Sequence, residues 1–122
     1  MRLLSPLILA ALLPISAFAQ STAFESPSGN IYCEAHDDMV ACFIHQTQTG
    51  NDGCAYIIEA YAPYAYRTCA ADGSYDGYVT ILGYGNSIRG QGWTCTSQQT
   101  GMYCVNRLKK GFKISRSKQI MF

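Results

Sequence analysis

The stretch IYCEAHDDMVACFI, residues 31–44, decides the fold. Two cysteines, Cys33 and Cys42, lie near its ends with eight residues between them, and the central Asp37-Asp38 is flanked by mostly apolar segments. Apolar segments on both sides of a short polar centre are typical of a β-hairpin. The sequence therefore predicts a hairpin whose two strands are joined by a disulfide.

The register of this hairpin follows from its centre. If Asp37-Asp38 forms a two-residue loop, His36 pairs with Met39, and Cys33 then lies directly opposite Cys42. The cysteines occupy a non-hydrogen-bonded pair, where the Cα atoms are about 4.5 Å apart, at the short end of the range that a disulfide spans. Two-residue loops prefer Asn-Gly or Gly-X, so a four-residue loop on the same axis is equally compatible with the sequence.

A second stretch, WTCTSQQTGMYCVN at residues 93–106, repeats the pattern. Cys95 and Cys104 again have eight residues between them, and the tip is Gln98-Gln99-Thr100-Gly101. Gly101 supplies the residue with positive φ that such a tip usually needs. The spacing predicts a second hairpin of the same kind.

The six cysteines form a disulfide framework in this interpretation. Six cysteines allow 15 connectivities. The two hairpins pair four of them, and the remaining bond, Cys54–Cys69, follows by elimination. A zinc site would need two cysteines separated by two to four residues, and the sequence has no such spacing. We therefore predict three disulfides and neither a metal site nor a cofactor.

The first residues have the pattern of a signal peptide. Arg2 provides the charge, Leu3–Leu13 is almost wholly apolar, and Ala17-Phe18-Ala19 is a small-x-small cleavage pattern. We predict a signal peptide over residues 1–19 and a single disulfide-linked β domain over residues 20–122, located in the periplasm or secreted. No later stretch is apolar for long enough to predict a transmembrane helix.

The rest of the chain consists of short segments bounded by turn residues. Cys54–Tyr61 and Tyr64–Ala70 are predicted as tyrosine-rich strands, and Gly83–Gly92 as an irregular connection. Phe112–Ser115 and Gln119–Phe122 are predicted as the last strands. Turns recur every 8–12 residues, which is typical of a small all-β protein. We predict an antiparallel sandwich or barrel built from short hairpins.

Charge is divided along the chain. All eight acidic residues lie between Glu25 and Asp76. Of the nine Lys and Arg residues, only Arg2 and Arg67 precede Gly77. The charges of the two halves either pair across the folded domain or leave a basic surface for an anionic partner.

Several motifs resemble a family of bacterial exported proteins, domain-of-unknown-function family 6636. They are FxSPSGNIxC at residues 24–33, VxC at 40–42, YG at 84–85, CTSxxxGxxCxN at 95–106, GFxISR at 111–116 and a terminal Phe122. The resemblance covers nearly all of residues 20–122. It implies an exported, disulfide-linked bacterial domain, and it implies no activity, substrate or catalytic residue.

Catalytic patterns are absent from the sequence. His36 and His45 fall at opposite ends of the first hairpin, too far apart to share a metal ion. Glu34 and Glu59 are the carboxylates on predicted strands that could serve a hydrolase, and nothing in the sequence makes them face each other. There is no nucleophile motif, and no motif specific for nucleic acids. We predict that the protein is not an enzyme.

Two groups of residues are candidates for binding. Tyr61, Tyr64 and Tyr66 flank Pro63, and tyrosine is common at recognition surfaces, although it could equally cover a thin core. The second group is basic and contains Lys109, Lys110, Lys113 and Arg116. Its lysines could bind an anionic partner, or they could instead protect a sheet edge from pairing with another strand.

Alternation predicts which residues of this region face the core. Phe112, Ile114 and Ile120 should point inward and Lys113 outward. Trp93 should pack in the core beside Cys95.

The sequence thus favours an exported, non-enzymatic binding or envelope-associated module. Its partner would be an anionic envelope polymer or an exported protein. One alternative is an inhibitor of a hydrolase, similar to lysozyme inhibitors, which rests on a likeness of size, export and disulfides alone. A small cell-wall hydrolase is the third candidate.

Overall fold

The structure is a computed structural model that describes residues 22–69 and 78–122. The predicted signal peptide, residues 1–19, and the turns predicted at residues 71–77 lie outside the described residues. The strands are β1 Thr22–Glu25, β2 Ile31–His36, β3 Met39–Ile44, β4 Cys54–Glu59, β5 Tyr66–Thr68, β6 Val79–Ile81, β7 Ser87–Gly90, β8 Trp93–Gln98, β9 Gly101–Asn106, β10 Gly111–Ile114 and β11 Gln119–Met121.

These strands form two sheets. Sheet A has six strands in the order β5-β4-β3-β2-β1-β6, and sheet B has five in the order β11-β10-β9-β8-β7. Every strand pair is antiparallel except β1–β6, which is parallel. The buried core draws side chains from both sheets, so the fold is a sandwich. None of the described residues forms a helix with the length and hydrophobicity that a membrane crossing requires.

The register predicted for the first hairpin is confirmed. His36 pairs with Met39, so Asp37-Asp38 is a two-residue loop, and Cys33 pairs with Cys42. Side chains at alternate positions of β2 therefore point to opposite faces, and Cys33 points into the core. The Cys33–Cys42 disulfide links the strands where their Cα atoms are 4.0 Å apart.

The second hairpin and the third disulfide also match the prediction. Cys95 pairs with Cys104, and the disulfide links them. Gln98 pairs with Gly101, so the loop itself is Gln99-Thr100. Gly101 has a φ of 142° and is the first residue of β9. The third disulfide joins Cys54 to Cys69.

The two hairpin disulfides meet at the centre of the sandwich. The sulfur of Cys42, in sheet A, lies 3.8 Å from the sulfur of Cys104, in sheet B. Trp93 is buried nearby, as predicted, and its indole nitrogen donates a hydrogen bond to the His36 carbonyl of the other sheet. The disulfides and the indole therefore hold the two hairpins against each other.

Two details of the prediction are wrong. Gly83–Gly92 is not wholly irregular, because Ser87–Gly90 forms β7 beside β8. Gly90 belongs in this strand because it leaves room for an indole ring: a Cβ atom there would lie 2.3 Å from Trp93 Nε1.

The orientation predicted for Ile120 is also wrong, since its side chain is 42% exposed. Ile120 pairs directly with Lys113, and directly paired residues point to the same face of a sheet. Lys113 points outward, as predicted, while its neighbours Phe112 and Ile114 are buried. The outward orientation of Ile120 follows from that pairing.

Candidate functional site

The candidate binding residues are distributed over the two ends of the sandwich. One end, called here the tyrosine end, carries the Asp37-Asp38 loop, the turn at residues 59–66 and the loop at residues 106–111. The opposite end carries the loops after β1, β3 and β10 and the tip of the β8–β9 hairpin. Strand β10 runs from the tyrosine end to the opposite end, between β9 and β11 of sheet B.

Asn106 joins the tyrosine turn to the basic loop. Its side-chain nitrogen donates hydrogen bonds to the carbonyls of Glu59, at 2.8 Å, and Ala62, at 2.9 Å. Its side-chain oxygen accepts hydrogen bonds from the amides of Leu108 and Lys110, both at 2.9 Å. The tyrosine turn and the basic loop, which the sequence presents as separate candidates, therefore form one surface.

The tyrosine side chains are exposed. Tyr61 and Tyr64 are 69% and 66% exposed, and Tyr66 is also exposed, so they do not cover the core. The guanidinium carbon of Arg107 lies 5.4 Å from the centre of the Tyr61 ring, close enough for a cation–π interaction. An aromatic ring with a stacked arginine is a composition enriched in binding interfaces.

All the basic residues that follow Gly77 belong to sheet B or its loops. Within residues 22–69 and 78–122, no Lys or Arg side chain forms a salt bridge with a carboxylate. Pairing of the two halves, one of the two explanations offered by the sequence, is therefore not found among the described charges. The basic residues of sheet B are Arg89, Arg107, Lys109, Lys110, Lys113, Arg116 and Lys118.

Five of these residues lie along β10 and its two adjoining loops, and we call them the β10 strip: Lys109, Lys110, Lys113, Arg116 and Lys118. The six residue steps from Lys110 to Arg116 cover about 20 Å of chain, and β10 itself, Gly111–Ile114, forms the middle of that distance. Lys113 lies between Tyr103 and Ile120 on the outer face of sheet B. Tyr103 stacks on Phe122 with ring centres 5.7 Å apart, so apolar surface borders the charge.

Among the described residues, Asp52 interacts electrostatically with Arg116 of the strip. The Thr47 hydroxyl and amide donate hydrogen bonds to this carboxylate, both at 2.7 Å, and they lower the pKa of Asp52 below its ordinary value of 3.8. The charge of Arg116 lowers this pKa further, as the weakest of the causes. The hydrogen bonds from Thr47 are therefore the main stabilisation of the ionised Asp52 carboxylate. Asp52 forms no salt bridge with Arg116.

A cleft of about 830 Å³ opens at the end opposite the tyrosine end. The buried residues Ile31, Ser97 and Met102 line it, and the surrounding loops contribute mostly hydroxyl and amide side chains. Arg116 and His45 line it, and no carboxylate does. The sequence analysis missed this cleft, because its walls come from loops far apart in the chain.

Residues considered for catalysis lie apart from this cleft or apart from each other. His36 and His45 are at opposite ends of the first hairpin, and only His45 lines the cleft. Glu34 and Glu59 extend from the outer face of sheet A, on β2 and β4, with β3 between them. Because side chains on one sheet face point in the same direction, these carboxylates do not face each other across a cleft. The Tyr32 hydroxyl also donates a hydrogen bond of 3.0 Å to Glu34.

The fold and these surfaces define a small β sandwich with three disulfides. The sequence profile of DUF6636, a family of unknown function, matches residues 51–122, which is more than half of the chain. The chain therefore belongs to this family, as its motifs predict. No curated protein and no solved structure matches the chain. The matched residues begin after the first hairpin, so the resemblance at residues 24–42 stays a prediction.

Proposed function

We propose that the protein is an exported, non-enzymatic binding module that holds an anionic polymer of the cell envelope along the β10 strip. The observation that carries this proposal is the one-sided charge of sheet B. Its basic side chains form no salt bridge with any described carboxylate, so they are available to an external anion. The signal-peptide pattern of residues 1–19 and the three disulfides support export.

The geometry of the strip suits a linear partner. Its charges lie on β10 and in the loops at both ends of this strand, over about 20 Å, which matches a polymer that carries an anionic group every few ångströms. Tyr103 and Phe122 border Lys113 and offer apolar surface to the uncharged part of such a polymer. Strand β10 is fixed between β9 and β11, so the strip changes little in shape when a partner binds.

The tyrosine end extends this surface. Arg107 and the exposed Tyr61 adjoin Lys109 and Lys110 through the Asn106 hydrogen bonds. A polymer bound along β10 would therefore reach aromatic rings at this end of the strip.

Binding to a defined polyanion tests the proposal. Polyphosphate of uniform length is titrated into the protein and followed by calorimetry, with uncharged dextran as the control polymer. Because the attraction is electrostatic, the affinity should fall steeply as salt is raised. Replacing Lys109, Lys110 and Lys113 together by alanine should abolish most of it.

A matched pair of single variants separates the strip from the net charge. Lys113→Gln and Arg67→Gln each remove one positive charge, but Arg67 lies on β5 of sheet A. Lys113→Gln should weaken polyphosphate binding about fivefold, the size of one exposed charge contact of about 1 kcal/mol, and Arg67→Gln should change it little. Equal losses in both variants, salt-independent binding, or no binding would refute the proposal.

A further inference from the structure

We propose that the cleft at the end opposite the tyrosine end binds a sugar residue that carries an anionic group. This inference goes beyond polymer binding along β10, because it assigns a small ligand to the cleft, which shares Arg116 with the β10 strip. It rests on three features of the cleft: a serine hydroxyl in its wall that forms no hydrogen bond with the described residues, walls already held by hydrogen bonds, and a single arginine with no lining carboxylate.

The unpartnered hydroxyl belongs to Ser97. Ser97 lines the cleft, the residue is only 1% exposed, and its side chain forms no hydrogen bond with the described residues. Among the described residues, the fully buried side-chain polar atom without a partner is the Tyr56 hydroxyl and not that of Ser97. The Ser97 hydroxyl therefore reaches the surface of the cleft, where a hydroxyl group of a ligand would find an open hydrogen-bond partner.

Other side chains hold the walls in place. The Asn30 side chain exchanges two hydrogen bonds with the backbone of Gln46, at 2.9 and 3.0 Å. Ser115 bonds through its hydroxyl to both backbone groups of Lys118, at 3.1 and 3.2 Å. Ser26 accepts a hydrogen bond of 3.2 Å from the amide of Ile31. The cleft is therefore formed before a ligand arrives, which lowers the entropic cost of binding.

The side chains that remain free indicate the chemistry of the ligand. Gln48 lines the cleft with no side-chain hydrogen bond to the described residues, and Arg116 likewise has none. Uncharged amides and hydroxyls recognise ligand hydroxyl groups, and an arginine favours a carboxylate or phosphate. Tyr84 adds an exposed ring at the rim, on which the C–H face of a sugar can pack. A volume of about 830 Å³ exceeds the need of a lone inorganic anion.

Charge in the cleft favours an anion over a neutral sugar. The titratable side chains that line it are those of His45, Tyr84 and Arg116. Asp52 acts on Arg116 from outside the cleft, and its charge partly offsets that of the arginine without forming a salt bridge. We therefore expect a carboxylated or phosphorylated sugar to bind more tightly than its neutral parent.

Nuclear magnetic resonance titration of the oxidised protein tests the site. The probes are D-glucuronic acid, D-glucose 6-phosphate, D-glucose and inorganic phosphate. Both acidic sugars should shift the backbone amide signals of Ser97 and Gly101 in a saturable manner. The neutral sugar and inorganic phosphate should bind at least about tenfold more weakly, because each offers only part of the recognised chemistry. Which acidic sugar binds better distinguishes a carboxylate from a phosphate. If inorganic phosphate saturates the shifts as readily as the acidic sugars do, the claim that the cleft recognises a sugar is refuted. If neither acidic sugar gives a saturable shift, the cleft is not a binding site for such ligands.

Three variants locate the binding. Arg116→Gln should weaken acidic sugars about tenfold and leave D-glucose unchanged, since it removes only the charge-assisted bond. Lys118→Gln removes a charge from the same loop outside the cleft and should have little effect. Ser97→Ala should weaken both sugar types, and it should leave the melting temperature unchanged or raise it. A lowered melting temperature in Ser97→Ala, or equal losses in Arg116→Gln and Lys118→Gln, would refute the assignment.

The two proposals fail separately. Lys113→Gln should weaken polyphosphate binding about fivefold and keep its affinity for acidic sugars, whereas Ser97→Ala should weaken the binding of acidic sugars and keep its affinity for polyphosphate. If the wild-type protein binds polyphosphate but no acidic sugar, the sugar site is wrong. If it binds acidic sugars but no polyphosphate, polymer binding along β10 is wrong.

Discussion

Replacing Asn106 by alanine should destabilise the protein more than any other exchange of a single polar side chain that we consider. Asn106 is only 5% exposed, and its side chain makes four hydrogen bonds with backbone groups. A typical hydrogen bond contributes about 1 kcal/mol net, so the four together set an upper value of about 4 kcal/mol. Because water can reach part of this site and replace some of these bonds, we expect the free energy of unfolding to fall by about 2–4 kcal/mol.

Thermal and urea unfolding under oxidising conditions measure this loss. For a domain of this size, 2–4 kcal/mol corresponds to a melting temperature lower by roughly 10–20 °C. Asn30→Ala is the matched control, since Asn30 makes two exposed hydrogen bonds to Gln46 and should cost less than about 1 kcal/mol. Hydrogen exchange adds a local measurement: the amides of Leu108 and Lys110 should lose protection in the Asn106→Ala variant.

Two results would refute this reasoning. Equal destabilisation by Asn106→Ala and Asn30→Ala would mean that the four bonds contribute no more than two exposed ones. Unchanged exchange at Leu108 and Lys110 would mean that Asn106 does not hold the basic loop.

Three further predictions concern other parts of the fold. Thr47 lowers the pKa of Asp52, so the ionised carboxylate stabilises the folded state at pH values above its unfolded pKa, and this stabilisation is lost as pH falls through the folded pKa. In Thr47→Val, a titration followed at the carboxyl carbon of Asp52 should show that the pKa of Asp52 rises toward 3.8. An unchanged pKa would contradict the role assigned to Thr47. Gly111→Ala should destabilise more than Gly50→Ala in urea unfolding, because an added Cβ would lie 1.9 Å from a carbonyl oxygen of β9 at Gly111. At Gly50 an added Cβ meets nothing within 4 Å, and only the positive φ of 85° opposes the substitution. A phosphine should reduce the Cys54–Cys69 disulfide first, because Cys69 is exposed whereas all four cysteines of the other two disulfides are buried. Alkylation of the released thiols and mass spectrometry give the order of reduction, and simultaneous reduction of all three disulfides would contradict this prediction.

The parts of the fold that the sequence predicts are those set by local pairing. The positions of Cys33 and Cys42 relative to the Asp37-Asp38 loop determine the register of the first hairpin, because a strand pair joined by a tight loop has little freedom to slip. The orientation of Trp93 follows from alternation with Cys95 for the same reason. Such features depend on residues that are close in the sequence.

Features that join segments far apart in the chain cannot be predicted from such local patterns. Asn106 bonds to the carbonyl of Glu59 across 47 residues, and a single asparagine after a strand gives no signal of that partner. The orientation of Ile120 depends on its pairing with Lys113, so alternation within β11 alone cannot decide it. The cleft depends on five separate loops, and their hydroxyl and amide residues read one at a time as ordinary turn residues.

The separation of charge was visible in the sequence, but its consequence was not. Counting residues shows an acidic first half and a basic second half. Whether they pair depends on the sheets: the described acidic residues belong to sheet A and its loops, and the basic residues after Gly77 belong to sheet B and its loops. The arrangement of the strands in two layers therefore keeps these charges on different elements of the fold.

The contact between Cys42 and Cys104 makes the order of oxidation important when the chain folds. Each hairpin disulfide joins residues only nine positions apart, so it can form before the sheets meet. If the sheets met while these cysteines were still reduced, the sulfurs of Cys42 and Cys104 would lie close enough for a bond between the wrong partners. Early oxidation within each hairpin removes that competing product, and the sandwich then assembles from two covalently closed units.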